Sequence, residues 1–391
     1  MGCSDLCGGR ADGIDTECEP VNQEAPSLNA LVHGGDLVSA AKRYGVAREA
    51  WIDLSTGINP CAYPVPHLEA SCFQQLPYQS RDFEAAVTAY YGSSAFVACN
   101  GSQQVIELLP KLLPTLPVLL PALGYQEHCK SWRKAQRGVG SLFYYSAIDQ
   151  VAAIERIESQ LRLNKPFHLV LINPNNPTGL LFSVERIVDW ASRMPEGGFI
   201  IVDEAFIDLH PEQSVLSDYH AFQQASNLLV IRSFGKFFGL AGIRLGFLFG
   251  PASLLRKVAH GVGPWSVNGP AQSVAIAALN DHCWHGRNRA SIERNSDITV
   301  SLFRPLLTRI GAEALGASAL FSSWWINRKQ ATSLYTFFAE RGVLLRIIDG
   351  EAESADFAGL SVLRLGSIDA EDKCRLARLI QVINDYILAL D

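Results

Sequence analysis

The chain has 391 residues, 48% hydrophobic and 18% charged, with a formal net charge of −6, the balance of a soluble globular protein long enough for two or more domains. That charge gives nucleic acid and anionic membranes no surface-wide attraction. No stretch reaches the roughly 18 uninterrupted apolar residues of a membrane span, the most apolar run (residues 112–123) being broken by Pro114, Pro117 and Pro121.

In chain order, residues 1–26 are rich in Gly, Asp, Glu and Asn without periodicity, and read as a flexible tail. Cys3, Cys7 and Cys18 lie in it, and the nine cysteines in all match no zinc spacing, so no metal is expected. The start lacks a basic region leading into an apolar one, and Leu6 stands where a myristoylation motif requires Ser or Thr. The expected location is the cytoplasm. A helix is expected over residues 28–44, stopped by Gly45, then a strand over 51–54, a helix over 83–91 stopped by Gly92, a strand over 95–98 and a helix over 104–113.

Short apolar runs at 168–172, 199–202, 228–231 and 246–249 alternate with helical patterns at 183–193 and 252–259. This alternation predicts an α/β fold with a mostly parallel sheet between helices. A long helix over 292–310, strands over 319–326, 343–348 and 361–365, and a helix over 370–390 predict a smaller α+β domain. The expected division is an arm that also contributes to the small domain (27–58), a large domain (59–284) and the small domain (285–391).

Four groups carry chemistry. Asn100-Gly101-Ser102-Gln103 sits at a strand-to-helix junction, where free backbone N–H groups and a hydroxyl suit a phosphate. Asn173-Pro174-Asn175-Asn176-Pro177-Thr178-Gly179 follows a buried strand and holds an asparagine amide in place. Asp203 ends the next strand as a helix cap or a partner for a cation. Lys236 lies on a Gly-punctuated connection, three residues after Ser233 and eight before Arg244. Lysine forms Schiff bases with carbonyls, and desolvation or a neighbouring cation makes it nucleophilic.

In this order and spacing, these groups resemble the fold-type I, aminotransferase-like enzymes that use pyridoxal 5'-phosphate (PLP), over about residues 30–390. The resemblance implies that Lys236 attaches the cofactor covalently and that Asp203 pairs with its pyridinium nitrogen. It further implies that Asn176 bonds the phenolic oxygen and Tyr125 stacks on the ring. Ser102, the backbone of Gln103, Ser233 and Arg244 would hold the phosphate. Two positions depart from the pattern: Phe206 stands where these enzymes usually carry tyrosine, and Leu76-Pro77 where many have Tyr-Pro, with Tyr78 as a substitute.

His33-Gly34-Gly35-Asp36, followed by Asp53-Leu54-Ser55-Thr56-Gly57-Ile58-Asn59-Pro60, is similar to the threonine-phosphate decarboxylases of cobalamin synthesis. The segment Pro264-Trp265-Ser266-Val267-Asn268 and Asp203-Glu204-Ala205-Phe206 share that likeness. It implies that Arg364 binds the substrate carboxylate, and that Arg346 and His33, with the Gly34 backbone, bind a substrate phosphate. Asn176 would also touch substrate, and Gly57 replaces an asparagine of some relatives. The alternative is a histidinol-phosphate or other aminotransferase, because the same residues serve either outcome. A homodimer is expected, with neither nucleic acid nor membrane as partner.

Overall fold

The computed structural model describes residues 33–136, 140–349 and 359–391. The expected tail, its three cysteines and the arm up to residue 32 lie outside the described residues. The strands are β1 (Ile52–Asp53), β2 (Phe96–Cys99), β3 (Val118–Pro121), β4 (Leu142–Tyr145), β5 (His168–Ile172), β6 (Phe199–Asp203), β7 (Leu228–Ser233) and β8 (Gly246–Phe249), then β9 (Glu313–Ser318), β10 (Phe321–Asn327), β11 (Val343–Leu344), β12 (Arg346–Asp349) and β13 (Leu360–Gly366).

β2 to β8 form one sheet in the order β2-β8-β7-β6-β5-β3-β4. All its pairings are parallel except those of β8, which runs antiparallel to β2 and β7. Uninterrupted apolar runs suit strands covered on both faces, and every residue of β5 and β7 is buried. Alternate side chains feed two cores. Leu169, Leu171, Ile200, Val202, Leu228 and Val230 join one; Val170, Ile201, Leu229 and Ile231 join the other. The apolar run at 112–123 supplies β3 from Val118 onward, an inner strand flanked by β4 and β5.

The second, smaller sheet is antiparallel, ordered β12-β13-β10-β9. The strand expected over 319–326 is β10, and it forms a hairpin with the unexpected β9 before it, turning between Ser318 and Phe321. The expected strand over 343–348 is split at Leu345: β11 pairs in parallel with β1, and β12 joins β13. Its core gathers Phe303, Leu306, Leu334, Phe338, Leu363 and Leu379.

The helix His282–Arg309 runs through the 284/285 position where a domain boundary is expected. At its start Trp284 stacks on Phe238 of the large core, and its last turns carry Phe303, Leu306 and Leu307 into the small one. Of the helix expected over 28–44, residues 28–32 lie outside the described residues, and among the described ones the helix is Leu37–Tyr44. Asp36 caps it, its Oδ1 accepting from the Ser39 N–H at 3.0 Å.

Candidate active site

The parallel strands deliver side chains to one edge of the sheet, where α/β folds collect ligands. Asp203 is the last residue of β6 and Ser233 the last of β7. Asn176 follows β5, Tyr125 follows β3, and Gly101 and Ser102 follow β2. Lys236 is on a one-turn helix, Phe234–Phe237, continuing directly from β7, rather than on a loop as its glycines suggest. One cavity is lined by Ser102, Gln103, Tyr125, Asn176, Asp203, Ser233, Lys236 and Arg244, with Phe206 on its wall. These are the eight residues that the sequence nominates for the cofactor.

The helix Ser102–Leu112 opens without a side-chain cap on Gly101, so its first N–H groups find no side-chain acceptor there. Gly101 has φ 73°, and a Cβ there would run into the Arg244 guanidinium, which lies directly over this helix start. Arg244 is itself in the left-handed region at φ 58°, a conformation costing about 1–3 kcal/mol in a non-glycine residue. Its Nη1 donates to the Ala241 carbonyl at 3.2 Å. Uncapped amides, two hydroxyls and an arginine make an anion cradle.

Asp203, 3% exposed, is held from two sides. The His128 Nε2 lies 2.8 Å from its Oδ2, and the Ala205 N–H donates to Oδ1 at 3.1 Å. The sequence reading did not nominate His128, although its place three residues after Tyr125, in the helix Gln126–Gln136, was a usable signal. Behind Asp203, Glu204 is fully buried. Arg232 Nη1 reaches Glu204 at 3.2 Å and Ser214 at 3.0 Å, while Nη2 donates to Asp208, fixing the strand end from below.

The Lys236 amine is brought from 10.5 down to about 8 by burial and then by Arg364 and Arg244, with Asp203 opposing. It lies 5.6 Å from the centre of the Phe206 ring. Burial, with Glu127 and Asp203, pushes the Tyr125 phenol up to about 12. Its hydroxyl donates to Gln103 Oε1 at 3.1 Å. The two adjacent asparagines divide their work. Asn175 ties the loop down through Leu123 and Thr178, and Asn176 turns to the cavity, where its Oδ1 accepts from Arg364 Nη1 at 2.7 Å.

Arg364 on β13 is directly opposite Arg346 on β12. Burial and then Arg346 lower Arg364 to about 10, and burial also lowers Arg346. Arg364 Nη2 donates to the Ser55 carbonyl at 2.6 Å, while its buried Nε meets no acceptor among the described residues. Ser55 also joins the two N-terminal motifs: its Oγ accepts from the Gly35 N–H at 2.7 Å and donates to Asp53 Oδ1 at 2.5 Å. Gly34 packs so closely on the Ser55 carbonyl that no Cβ fits. His33 is 55% exposed, its Nε2 3.5 Å from Glu127 Oε1. Gly57 is buried against the rings of Phe206 and Phe321, so its contact is with the cavity wall. Of the residues nominated for substrate, Asn176 lines the cavity, while His33, Gly34, Gly57, Arg346 and Arg364 are outside its lining, Arg364 reaching it through Asn176.

A carboxylate, a depressed lysine, a facing asparagine amide and an anion cradle fit the pyridine nitrogen, aldehyde, phenolic oxygen and phosphate of pyridoxal 5'-phosphate. The model of the family "Aminotransferase class I and II" matches residues 66–350. The threonine-phosphate decarboxylase of Pseudomonas aeruginosa is 37% identical, covering 81% of this chain and 89% of its own. That of a Sinorhizobium species is 36% identical, covering 73% and 82%. In fold, the chain is similar to a histidinol-phosphate aminotransferase from Sinorhizobium meliloti solved with pyridoxal 5'-phosphate. There the TM-score is 0.66 at 19% identity, over 92% of this chain and 100% of that one. The chain therefore belongs to the aminotransferase class I and II family, together with the threonine-phosphate decarboxylases, and is a pyridoxal 5'-phosphate-dependent enzyme.

Proposed function

We propose that the enzyme removes carbon dioxide from O-phospho-L-threonine, giving (R)-1-amino-2-propanol O-2-phosphate for cobalamin synthesis. The observation that carries this reading is the cross-strand pair Arg346 and Arg364 beside Asn176. Two part-buried or buried cations side by side repel one another and lose hydration, an arrangement that anions relieve. A substrate bearing a carboxylate and a phosphate supplies both. Threonine-phosphate decarboxylases that are 36–37% identical support the same choice.

When bound, the cofactor supplies an electron sink for the pair left on Cα after a bond to it breaks. Asp203, steadied by His128, would balance the pyridinium charge, and Asn176 would bond the phenolic oxygen. Ser102, the Gln103 amide, Ser233 and Arg244 would hold the phosphate, with Tyr125 against the ring. Arg364 would take the substrate carboxylate on its free Nε side. Arg346, His33 and the Gly34 amide would take the substrate phosphate, fixing the amino acid at two ends. That two-point grip would decide which bond to Cα is aligned to break. The Lys236 Nζ would then return a proton to Cα. Exposed Phe73, Leu76, Tyr78 and Trp265 support a homodimer. Among the described residues no helix is long and apolar enough to cross a membrane, which fits work in the cytoplasm.

Incubation of the cofactor-loaded enzyme with O-phospho-L-threonine tests the reading. Carbon dioxide and aminopropanol phosphate should form in equal amounts without any 2-oxo acid. Turnover only with 2-oxoglutarate, yielding glutamate, would instead establish an aminotransferase.

A further inference from the structure

Phe206 gives the cavity an aromatic wall beside Lys236. The Lys236 Nζ is 5.6 Å from the centre of the Phe206 ring. Phe206 meets Phe321 edge to face, with centroids 5.1 Å apart, and the Arg364 guanidinium carbon is 5.7 Å from the Phe321 ring. Phe206 thus gives the cavity an apolar face toward the lysine, and Phe321, wholly buried behind it and outside the lining, carries the aromatic packing on to Arg364. Gly57 makes this packing possible: a Cβ there would lie 2.9 Å from Phe206 Cε1 and 3.2 Å from Phe321 Cδ1, too close for either ring to keep its place. Phe206 and Phe321 are both buried, and Phe206 brings no hydroxyl to a cavity whose other residues are rich in donors.

We propose that Phe206, seated on Phe321 in the space Gly57 leaves, is a specificity-determining residue that directs the reaction to simple decarboxylation. The inference rests on the decarboxylase reading above. A carboxylate brought into this cavity meets carbon at Phe206, and an apolar wall solvates a carboxylate poorly but neutral carbon dioxide well. In the step, the Cα–carboxylate bond breaks, its electron pair stays with Cα and is delocalised, and one proton drawn ultimately from solvent replaces carbon dioxide on Cα. No oxidant or second substrate is needed. With the cofactor bound, the competing outcome would leave that proton off Cα, and hydrolysis would then give a carbonyl product and pyridoxamine 5'-phosphate. A hydroxyl at position 206 would add a proton-carrying group to the wall that Lys236 faces, and phenylalanine leaves that wall without one.

Three holoenzymes test this: wild type, Phe206→Tyr, which adds only a hydroxyl, and Phe206→Leu, which keeps the wall apolar. The measured quantity is pyridoxamine 5'-phosphate formed per carbon dioxide released from O-phospho-L-threonine. The tyrosine variant should raise this ratio about tenfold, as one added hydrogen-bonding group can, and the leucine variant should stay within about twofold of wild type. A second readout needs no turnover: the pH midpoint for labelling the Lys236 amine of the apoenzyme with an amine reagent. It should lie near 8 in wild type and higher in Phe206→Tyr. An unchanged ratio and an unchanged midpoint in Phe206→Tyr would overturn the proposal, as would Phe206→Leu shifting the ratio as far as Phe206→Tyr. A wild-type enzyme that releases no carbon dioxide would overturn the decarboxylase reading, while the labelling midpoint still reports on the wall.

Discussion

Lys236 imposes a pH dependence on the stability of the apoenzyme. Its amine titrates near 8 in the folded protein against 10.5 as a free side chain, so folding works against the charged form. Between these two values the unfolded chain holds more of this proton than the folded one, and stability rises with pH across that window. Below about pH 8 both states carry the proton and the whole cost stands. The gap between the two values corresponds to ~3 kcal/mol. Met has a similar length and no charge, so the Lys236→Met apoenzyme should be ~2–3 kcal/mol more stable than wild type at pH 7. The difference should shrink through pH 8 to 10.5 and vanish above it. Urea denaturation of both apoenzymes at a series of pH values, with equal m-values as a check on the comparison, measures this directly. Stability curves that run parallel from pH 7 to 11 would refute the reasoning, because they would mean the amine keeps its solvation in the folded cavity.

Three further outcomes are expected. Arg346→Ala should raise KM for O-phospho-L-threonine by about 10- to 100-fold, the worth of a charge-assisted contact, and leave the Kd for cofactor nearly unchanged; equal changes in both would place Arg346 elsewhere. His128→Phe removes the group 2.8 Å from Asp203, and should lower kcat about tenfold or more by loosening the carboxylate, with the spectrum of the bound cofactor altered at the same time. Arg232→Met leaves the buried Glu204 and Asp208 carboxylates without their cation. It should cost ~3–5 kcal/mol in equilibrium denaturation, and a loss below 1 kcal/mol would show that those carboxylates bind protons instead.

Local chemistry made much of this protein legible early. The runs that became β5, β6 and β8 are almost wholly apolar, and a strand buried on both faces needs that composition whatever surrounds it. Ser183 announces a helix start because a short oxygen-bearing side chain meets a free N–H there; Asp36 does the same, but a helix expected from residue 28 ran through it. β3 was hidden because three prolines punctuate its neighbourhood, yet Pro121 sits at the last position of the strand, where losing a donor is tolerated. β9 was hidden as well, because Glu313, Ala314, Gly316 and Ala317 carry little of the apolar signal that marks a strand.

For the site, the sequence by itself determined the inventory. Lys236, Asp203, Asn176, Ser102 and Arg244 are residue types suited to such chemistry, each within a few residues of a strand end, where such groups can gather. It could not determine which neighbours those groups meet, because partners such as Asp203 and His128, or Arg364 and Ser55, are 75 and 309 residues apart. Only tertiary packing decided that Arg346 would face Arg364 across two strands, and that Gly57 would leave room for Phe206 to spread between Lys236 and Phe321. Hydrogen bonds, burial and mutual charge act over a few ångströms of space, and the folded chain is what turns distance along the sequence into that proximity.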